Sequence, residues 1–283
     1  QAVINKAQGE AESIKAVGAM EDSRIIRLLE RVEMFLYRRA SRLVSVTASS
    51  KQILVKRGID ARKISVVTNG VDISRFHPMV KDPELMARYG LEGKFVAGYV
   101  GTHGMAHGLE TVLRAAKRLG ATSGGDLFRF ILLGDGARKG ALKDTAREMG
   151  LENVIFIDSV PKEQVPRYWS LLDASIIHLR KTELFTTVIP SKLFECMGMG
   201  IPVLHGVAGE SADIVEREGV GLVFEPENDV ELCQKLVRLK EDGQLYDRLR
   251  ERCLIAARSY DRGELARKMI EPIHPQMTQI AAD

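Results

Sequence analysis

The sequence predicts an α/β protein, with one complete doubly wound parallel sheet and the remnant of a second domain before it. From Lys94 onward, short apolar runs alternate with segments whose apolar residues recur at helical spacing. The short runs are apolar throughout, which is typical of strands that helices cover on both faces. Such alternation gives β-α-β units, whose right-handed crossovers place helices on both sides of a parallel sheet.

This pattern predicts six strands and the helices between them. The strands are Phe95 to Val100, Phe128 to Leu133, Val154 to Ile157, Ala174 to Leu179, Pro202 to Leu204 and Gly221 to Phe224. The helices are Leu109 to Leu119, Gly140 to Met149, Glu163 to Leu172, Ser191 to Met199 and Ser211 to Arg217. The tail from Asp229 to Met277 has helical spacing and no further strand.

The block before Asn69 is shorter. Residues Arg24 to Arg39 have apolar side chains at helical spacing opposite Arg and Glu, and a strand follows at Leu43 to Thr47. A helix over Ser50 to Arg57 and a strand over Ile64 to Val67 complete the block. Two strands cannot close a core, so we expect this block to be part of a domain.

Composition and charge exclude several classes of protein. The chain has 283 residues and a formal net charge of +3, which gives no reason to expect nucleic-acid binding. The three widely spaced cysteines argue against a disulfide scaffold and suit a reducing compartment. The sequence shows no run apolar enough to span a bilayer and no signal-peptide pattern, so we expect a cytoplasmic location.

Two glycine-rich loops follow the first two strands of the larger sheet. The first loop comprises Gly101, Thr102, His103, Gly104, Met105, Ala106, His107 and Gly108, and the second comprises Gly134, Asp135 and Gly136. In open parallel sheets ligands bind at the carboxyl ends of strands, where glycines let backbone N–H groups approach an anion. Each loop taken alone could equally be a turn that needs positive φ angles.

The first loop also carries His103 and His107. A metal site would need a third ligand, and no carboxylate or cysteine completes a set in this loop. We therefore predict no metal site, and a polar or cationic contact to phosphate as the function of these residues. Two solvated loop histidines are the alternative.

The most specific pattern covers residues 190–203, a loop that enters a helix and then a strand. The N–H groups at the helix start, at Ser191, Lys192 and Leu193, would suit a diphosphate together with the Lys192 ammonium. Glu195 lies one turn further and could accept two hydrogen bonds from ribose hydroxyls. The alternative is a solvated Lys192 and a surface Glu195, which the apolar neighbours of Glu195 make less favourable.

These residues resemble the retaining glycosyltransferases of family 4, whose two Rossmann-like domains form the architecture called GT-B. The likeness runs from about Glu12 to Pro272, and it is greatest to members that build surface polysaccharides with amino or deoxy sugars. It is carried by Val67 to Asp72 with Phe76, Tyr99 to Gly104, Leu132 to Gly136, Pro190 to Val203, and Gly209 with Glu210. These stretches are specific together and not singly.

The resemblance implies a division of the chain. Residues 1–74 would be the remnant of the acceptor-binding domain, residues 75–260 the nucleotide-sugar-binding domain, and residues 261–283 a C-terminal crossover helix. It also implies that Glu195 holds the donor ribose and that the turn before it binds the diphosphate. Residues 1–11 match nothing in the family, and we expect the chain to be a fragment or a trimmed form.

This sequence departs from the family at two places. Many members carry an additional glutamate where this chain has Thr187, and many use Arg and Lys in the loop where it has His103 and His107. Lys192 is therefore the expected catalytic residue, because its ammonium could stabilise the charge that develops on a leaving diphosphate.

The resemblance implies transfer of a hexose or amino-hexose from a nucleotide diphosphate sugar, with UDP the favoured nucleotide. The acceptor would be a saccharide or a polyprenyl-linked compound, the anomeric configuration would be retained, and no cofactor would be needed. A sugar-nucleotide epimerase of the same architecture and a truncated nucleotide-binding module without turnover are the alternatives. An NAD-dependent dehydrogenase is disfavoured, because the loop after Val100 lacks the G-x-G-x-x-G spacing.

The helix predicted over Arg24 to Arg39 is both basic and amphipathic. Arginines alternate there with Ile25, Leu28, Leu29 and Phe35, which predicts weak contact with an anionic membrane surface. The protein would then be peripheral on the inner face of the cell membrane. Packing of this helix on its own domain is the alternative.

Overall fold

The computed structural model describes residues 24–270, which form eight strands and eleven α-helices. The strands are β1 (Leu43–Ser45), β2 (Ile64–Val66), β3 (Phe95–Val100), β4 (Phe128–Leu133), β5 (Val154–Ile157), β6 (Ala174–His178), β7 (Val203–Gly206) and β8 (Gly221–Val223). The helices before β6 are α1 (Arg24–Arg39), α2 (Ala48–Lys56), α3 (Pro83–Tyr89), α4 (Glu110–Gly120), α5 (Lys139–Glu148) and α6 (Val165–Trp169). Those after it are α7 (Lys192–Met199), α8 (Glu210–Glu218), α9 (Asp229–Glu241), α10 (Gly243–Ser259) and α11 (Arg262–Ile270).

Six of the strands form one parallel sheet in the order β5-β4-β3-β6-β7-β8. The direction of winding reverses between β3 and β6, and a crevice opens at such a switch point at the carboxyl ends of the strands. One apolar core includes Trp169 and Phe194, and the other includes Leu113 and Leu236, so both faces of the sheet are covered. The predicted doubly wound α/β fold is therefore confirmed.

The smaller unit is a parallel pair of strands, β1 and β2, packed with α1 and α2. Its core consists of Tyr37, Leu43, Ile59 and Ile64. The predicted helix over residues 24–39 is present, and it exposes apolar side chains at Leu28, Leu29, Val32, Phe35 and Leu36. Whether a membrane surface meets this face stays a prediction.

Hydrogen bonds join the smaller unit and its linker to the larger unit. Val71 donates its N–H to the Tyr260 carbonyl, and the Val71 carbonyl accepts from the Arg262 N–H, both at 2.9 Å. The carboxylate of Glu210 accepts from the N–H groups of Ala48 and Ser49 at 2.8 and 2.9 Å. Glu210 thus caps the N-terminus of α2, where the helix dipole favours a negative charge.

The domain boundaries at 74/75 and 260/261 stay predictions. The helix expected at the C-terminus begins at Arg262, directly after the segment that pairs with Val71. Its continuation to Met277 and the unmatched residues 1–11 lie outside the described residues.

Two helices differ from the prediction. The sequence pattern did not reveal α3, because its 7 residues are too few to show helical periodicity. It begins at the cap Asp82, whose side chain accepts from the Leu85 N–H, and ends at Gly90 with φ 61°. Helix α6 covers only Val165–Trp169 of the longer segment expected, since turns flank it on both sides.

Candidate functional site

The two glycine-rich loops pack directly against each other at the carboxyl ends of β3 and β4. Gly134 has φ 141°, and a Cβ at this position would lie 1.9 Å from the Gly101 carbonyl oxygen. A Cβ at Gly136 would lie 2.6 Å from the His103 carbonyl oxygen, and the His103 N–H donates to Asp135 at 2.8 Å. Glycines are required at both contacts because no side chain fits between the backbones.

The start of α7 reaches the same place through Lys192. Its Nζ lies 3.6 Å from the centroid of the Tyr99 ring, a cation–π contact with a buried side chain of β3. A Cβ at Gly101 would come within 2.9 Å of this Nζ. The half-buried Lys192 ammonium therefore lies beside the first glycine-rich loop, which in turn packs on the second.

Burial lowers the pKa of Lys192 from its ordinary 10.5 to about 7, and Cys196 and Glu195 oppose the shift only in part. Between these two values the unfolded chain binds a proton that the folded protein lacks. The free energy of unfolding is therefore expected to rise as the pH increases from about 7 to 10.5. An anion placed beside Nζ would raise the pKa again, so proton and anion binding at this lysine are coupled.

The first turn of α7 offers fewer free N–H groups than the sequence pattern indicated. The N–H of Leu193 donates to the Pro190 carbonyl at 3.0 Å, and the N–H of Phe194 donates to the Ser191 carbonyl at 3.1 Å. The Leu193 side chain is fully buried, so this residue contributes packing in this conformation. Ser191 is exposed, its side chain does not cap the helix, and its N–H and that of Lys192 stay the candidates for an anion.

The two loop histidines flank Tyr99, with ring centroids 5.9 Å (His103) and 5.6 Å (His107) from the tyrosine ring. Burial lowers the pKa of His103 to about 4 and that of His107 to about 3, and the Lys192 ammonium adds to both shifts. Both histidines are therefore neutral at pH 7. They could make a polar contact with a phosphate but not a cationic one. Thr102 is exposed and Gly104 partly so.

Glu195 lies one turn beyond Lys192 and is partly exposed. Burial raises the pKa of its carboxyl group, and the Lys192 ammonium opposes that shift. The Glu195 carboxylate is therefore not a fully solvated surface group, and the nearby Lys192 ammonium offsets the effect of burial only in part. A ligand hydroxyl that donates to it would favour the ionised carboxylate.

Two residues at and just after the end of β6 belong to no sequence motif but contact the first glycine-rich loop. The sequence pattern predicts His178 inside a longer strand, but it is the last strand residue and its ring nitrogens meet His107 and Glu227. Arg180 donates from its N–H to Ala106 and from Nε to Met105, at 2.8 and 2.7 Å. Neither residue lies in a glycine motif. The only local signal is that a histidine and an arginine occur at the carboxyl end of a predicted strand.

A cleft lies between the smaller unit and the segment 183–189 of the larger unit. It has a volume of ≈ 750 Å³. Its polar lining includes Ser45, Thr47, Ser49, Glu183 and Thr187. Thr187 donates its hydroxyl hydrogen to the Leu184 carbonyl at 2.9 Å.

Among residues 24–270, no three His, Cys, Asp or Glu side chains converge as metal ligands would. No helix in that range combines the length and apolarity that a membrane span requires.

Two family models match the chain. The model described as glycosyl transferases group 1 matches residues 81–254, which is more than half of the chain. The model described as glycosyltransferase family 4 matches residues 18–75.

The similarity to individual relatives covers only about half of each relative's length. Alpha-D-kanosaminyltransferase of Streptomyces kanamyceticus is 30% identical over 170 residues, 59% of this chain and 42% of that protein. The probable glycosyltransferase WbjE of Pseudomonas aeruginosa is 23% identical over 234 residues, 81% of this chain and 57% of that protein. The chain thus spans about half the length of the curated relatives it matches.

Solved structures agree on the fold. HepE of Anabaena, in complex with UDP-glucose, has a TM-score of 0.73 at 21% identity, over 87% of this chain and 67% of that chain. The C-terminal domain of LpcC from Francisella tularensis has a TM-score of 0.57 at 20% identity, over 68% of this chain and 100% of that chain. The architecture is therefore of the GT-B type, and the chain belongs to the glycosyl transferases group 1.

Proposed function

We propose that this chain is the donor-binding part of a glycosyltransferase that transfers a hexose or amino-hexose from a UDP-linked sugar. The observation that carries the proposal is the convergence of both glycine-rich loops with Lys192 at the switch point of the sheet. There the Lys192 ammonium lies beside the N–H groups of Ser191 and Lys192 at the start of α7, and a diphosphate requires this combination of positive charge and hydrogen-bond donors. Transfer would go to a saccharide or polyprenyl-linked acceptor, with retention.

The roles of the side chains follow from their positions. The diphosphate would lie against the loop at Gly101 and the start of α7, so that Lys192 stabilises the charge that grows on the leaving group. Glu195 would accept hydrogen bonds from the ribose hydroxyls. The acceptor would enter the cleft that Ser49 and Thr187 help to line.

Relatives support this choice of donor and acceptor. HepE was crystallised with UDP and with UDP-glucose. The kanosaminyltransferase name refers to an amino sugar, and another relative, WcaL of Salmonella typhimurium, is named for colanic acid biosynthesis, which fits a saccharide acceptor. These properties belong to those proteins and motivate the experiment on this one.

A calorimetric titration with UDP, UMP and GDP tests the proposal. UDP is expected to bind more tightly than UMP by about tenfold or more, because only UDP brings a second phosphate to Lys192. GDP is expected to bind more weakly than UDP. Equal affinity for UDP and UMP would contradict the diphosphate site. A folded sample that binds none of the three nucleotides would contradict the proposed function.

The substitution Glu195→Gln is expected to weaken UDP binding by about 1–3 kcal/mol, because an uncharged amide accepts hydroxyl hydrogen bonds less well. Burial already disfavours the charged carboxylate, so the variant should be at least as stable as the natural protein at pH 7. Titration of UDP and thermal unfolding measure both effects. Glu216→Gln, on the exposed face of α8, is the matched control and should change neither. Unchanged UDP affinity in folded Glu195→Gln would contradict the ribose role.

A further inference from the structure

His178 contacts the end of the first glycine-rich loop, at His107 and Gly108. It ends β6, the strand that borders β3 at the switch point, and its side chain is buried. The imidazole lies nearly parallel to the Phe224 ring, with an interplanar angle of 7° and centroids 6.0 Å apart. Stacking and burial leave the ring little rotational freedom, so its two nitrogens point in fixed directions.

Each ring nitrogen meets one backbone group. Nδ1 lies 2.7 Å from the His107 carbonyl oxygen, and Nε2 lies 2.8 Å from the Glu227 backbone nitrogen. A carbonyl can only accept and an N–H can only donate, so the hydrogen must be on Nδ1 and the lone pair on Nε2. The surroundings therefore select one neutral tautomer of His178.

The backbone on both sides is shaped to fit this ring. Gly108 has φ 51°, and a Cβ there would lie 3.0 Å from the Cε1 atom of His178. Among residues 24–270, Glu227 is the one non-glycine residue with a positive φ, at 67°. A residue held in this sparsely populated conformation costs about 1–3 kcal/mol and persists only where its surroundings fix it. Here the conformation directs the Glu227 N–H at Nε2.

We propose that His178 is a positioning residue for the donor site, and this inference rests on the proposed function. Its Nδ1–H holds the last residue of the Met105–His107 turn, and its Nε2 ties that turn to the loop before α9. The link fixes the position of the first glycine-rich loop, against which the diphosphate would lie beside Lys192. His178 does not touch the donor itself.

Two substitutions separate the two hydrogen bonds. An asparagine amide N–H can replace Nδ1–H, and a glutamine amide oxygen can replace Nε2. We expect His178→Asn to weaken UDP binding by about threefold and His178→Gln by about tenfold or more, because only Asn keeps the donor to the loop. Hydrogen exchange should rise at residues 225–228 in the Asn variant and at residues 104–108 in the Gln variant. His77→Gln, at an exposed histidine, is the control.

The tautomer can be measured on the natural protein, which keeps the test independent of variant folding. Nitrogen-15 chemical shifts of His178 are expected to show a protonated Nδ1 and an unprotonated Nε2 at pH 7. The opposite tautomer, or equal loss of UDP affinity in the Asn and Gln variants, would overturn the positioning role. If the natural protein binds no UDP, the proposed function fails, whereas the tautomer and the exchange pattern still test the loop contact.

Discussion

Replacing Gly134 by alanine is expected to lower the free energy of unfolding by about 3 kcal/mol or more and to abolish measurable UDP binding. The φ angle of 141° is rarely adopted by residues with a side chain. The new Cβ would also lie 1.9 Å from the Gly101 carbonyl oxygen, a backbone atom that cannot rotate away. The two loops must then separate, and the anion site between them and Lys192 is lost.

The matched control for this change is Gly140→Ala. Gly140 is an exposed residue of α5, and a Cβ there would meet nothing within 4 Å. Alanine in a helix is favoured over glycine, so this variant should gain about 0.5–1 kcal/mol of stability and bind UDP normally. Chemical denaturation and UDP titration measure both variants. A Gly134→Ala protein with unchanged stability and affinity would show that the close packing of the loops is not required.

Replacing Lys192 by methionine is expected to weaken UDP binding by about 1.5–3 kcal/mol, or roughly ten- to a hundredfold in Kd. Methionine keeps much of the length of the side chain and its contact with Tyr99, but it removes the ammonium. Uridine and UMP should lose much less affinity than UDP, because they bring less phosphate to this place. The fold should be at least as stable at pH 7, since burial disfavours the charged lysine.

Lys117→Met, on the exposed face of α4, is the control for the loss of one positive charge. It should leave the affinity for UDP unchanged within about twofold, because screening weakens distant surface charges. An equal loss of affinity in both variants would mean that Lys192 acts only through the net charge. Unchanged affinity for UDP in folded Lys192→Met would contradict the contact between the Lys192 ammonium and the diphosphate.

The larger sheet could be predicted closely from the sequence. The expected bounds of β3, β4 and β5 match the structure, because each of these strands is a mainly apolar run between turns, with Arg129 of β4 as its one charged residue. The expected end of β6 at Leu179 is one residue too late, because His178 and Gly206 are the last paired residues of β6 and β7. The buried Leu179 still donates its N–H to the Gly206 carbonyl at 3.2 Å, so the apolar pattern continues into the residue that ends the strand.

The candidate site could be predicted only in part. The glycine-rich loops and the start of α7 have local sequence patterns, which is why they could be predicted. In the structure the two loops contact each other, and Lys192 lies beside the first of them. The contacts of Lys192 with Tyr99 and of His178 with Glu227 join segments far apart in the chain, and no local pattern encodes them. The neutral state of His103 also depends on tertiary burial, which a loop sequence does not reveal.

The central claim is that the Lys192 ammonium binds the donor diphosphate, and proton uptake tests it most directly. At pH 8 most of the free protein should carry a neutral Lys192, because its pKa is about 7. Bound diphosphate raises that pKa, so UDP binding at pH 8 should take up nearly one proton. Calorimetry in two buffers of different ionisation enthalpy counts this proton. We predict uptake in the natural protein and none in Lys192→Met, whereas tight UDP binding without uptake in the natural protein and with unchanged affinity in Lys192→Met would contradict the claim.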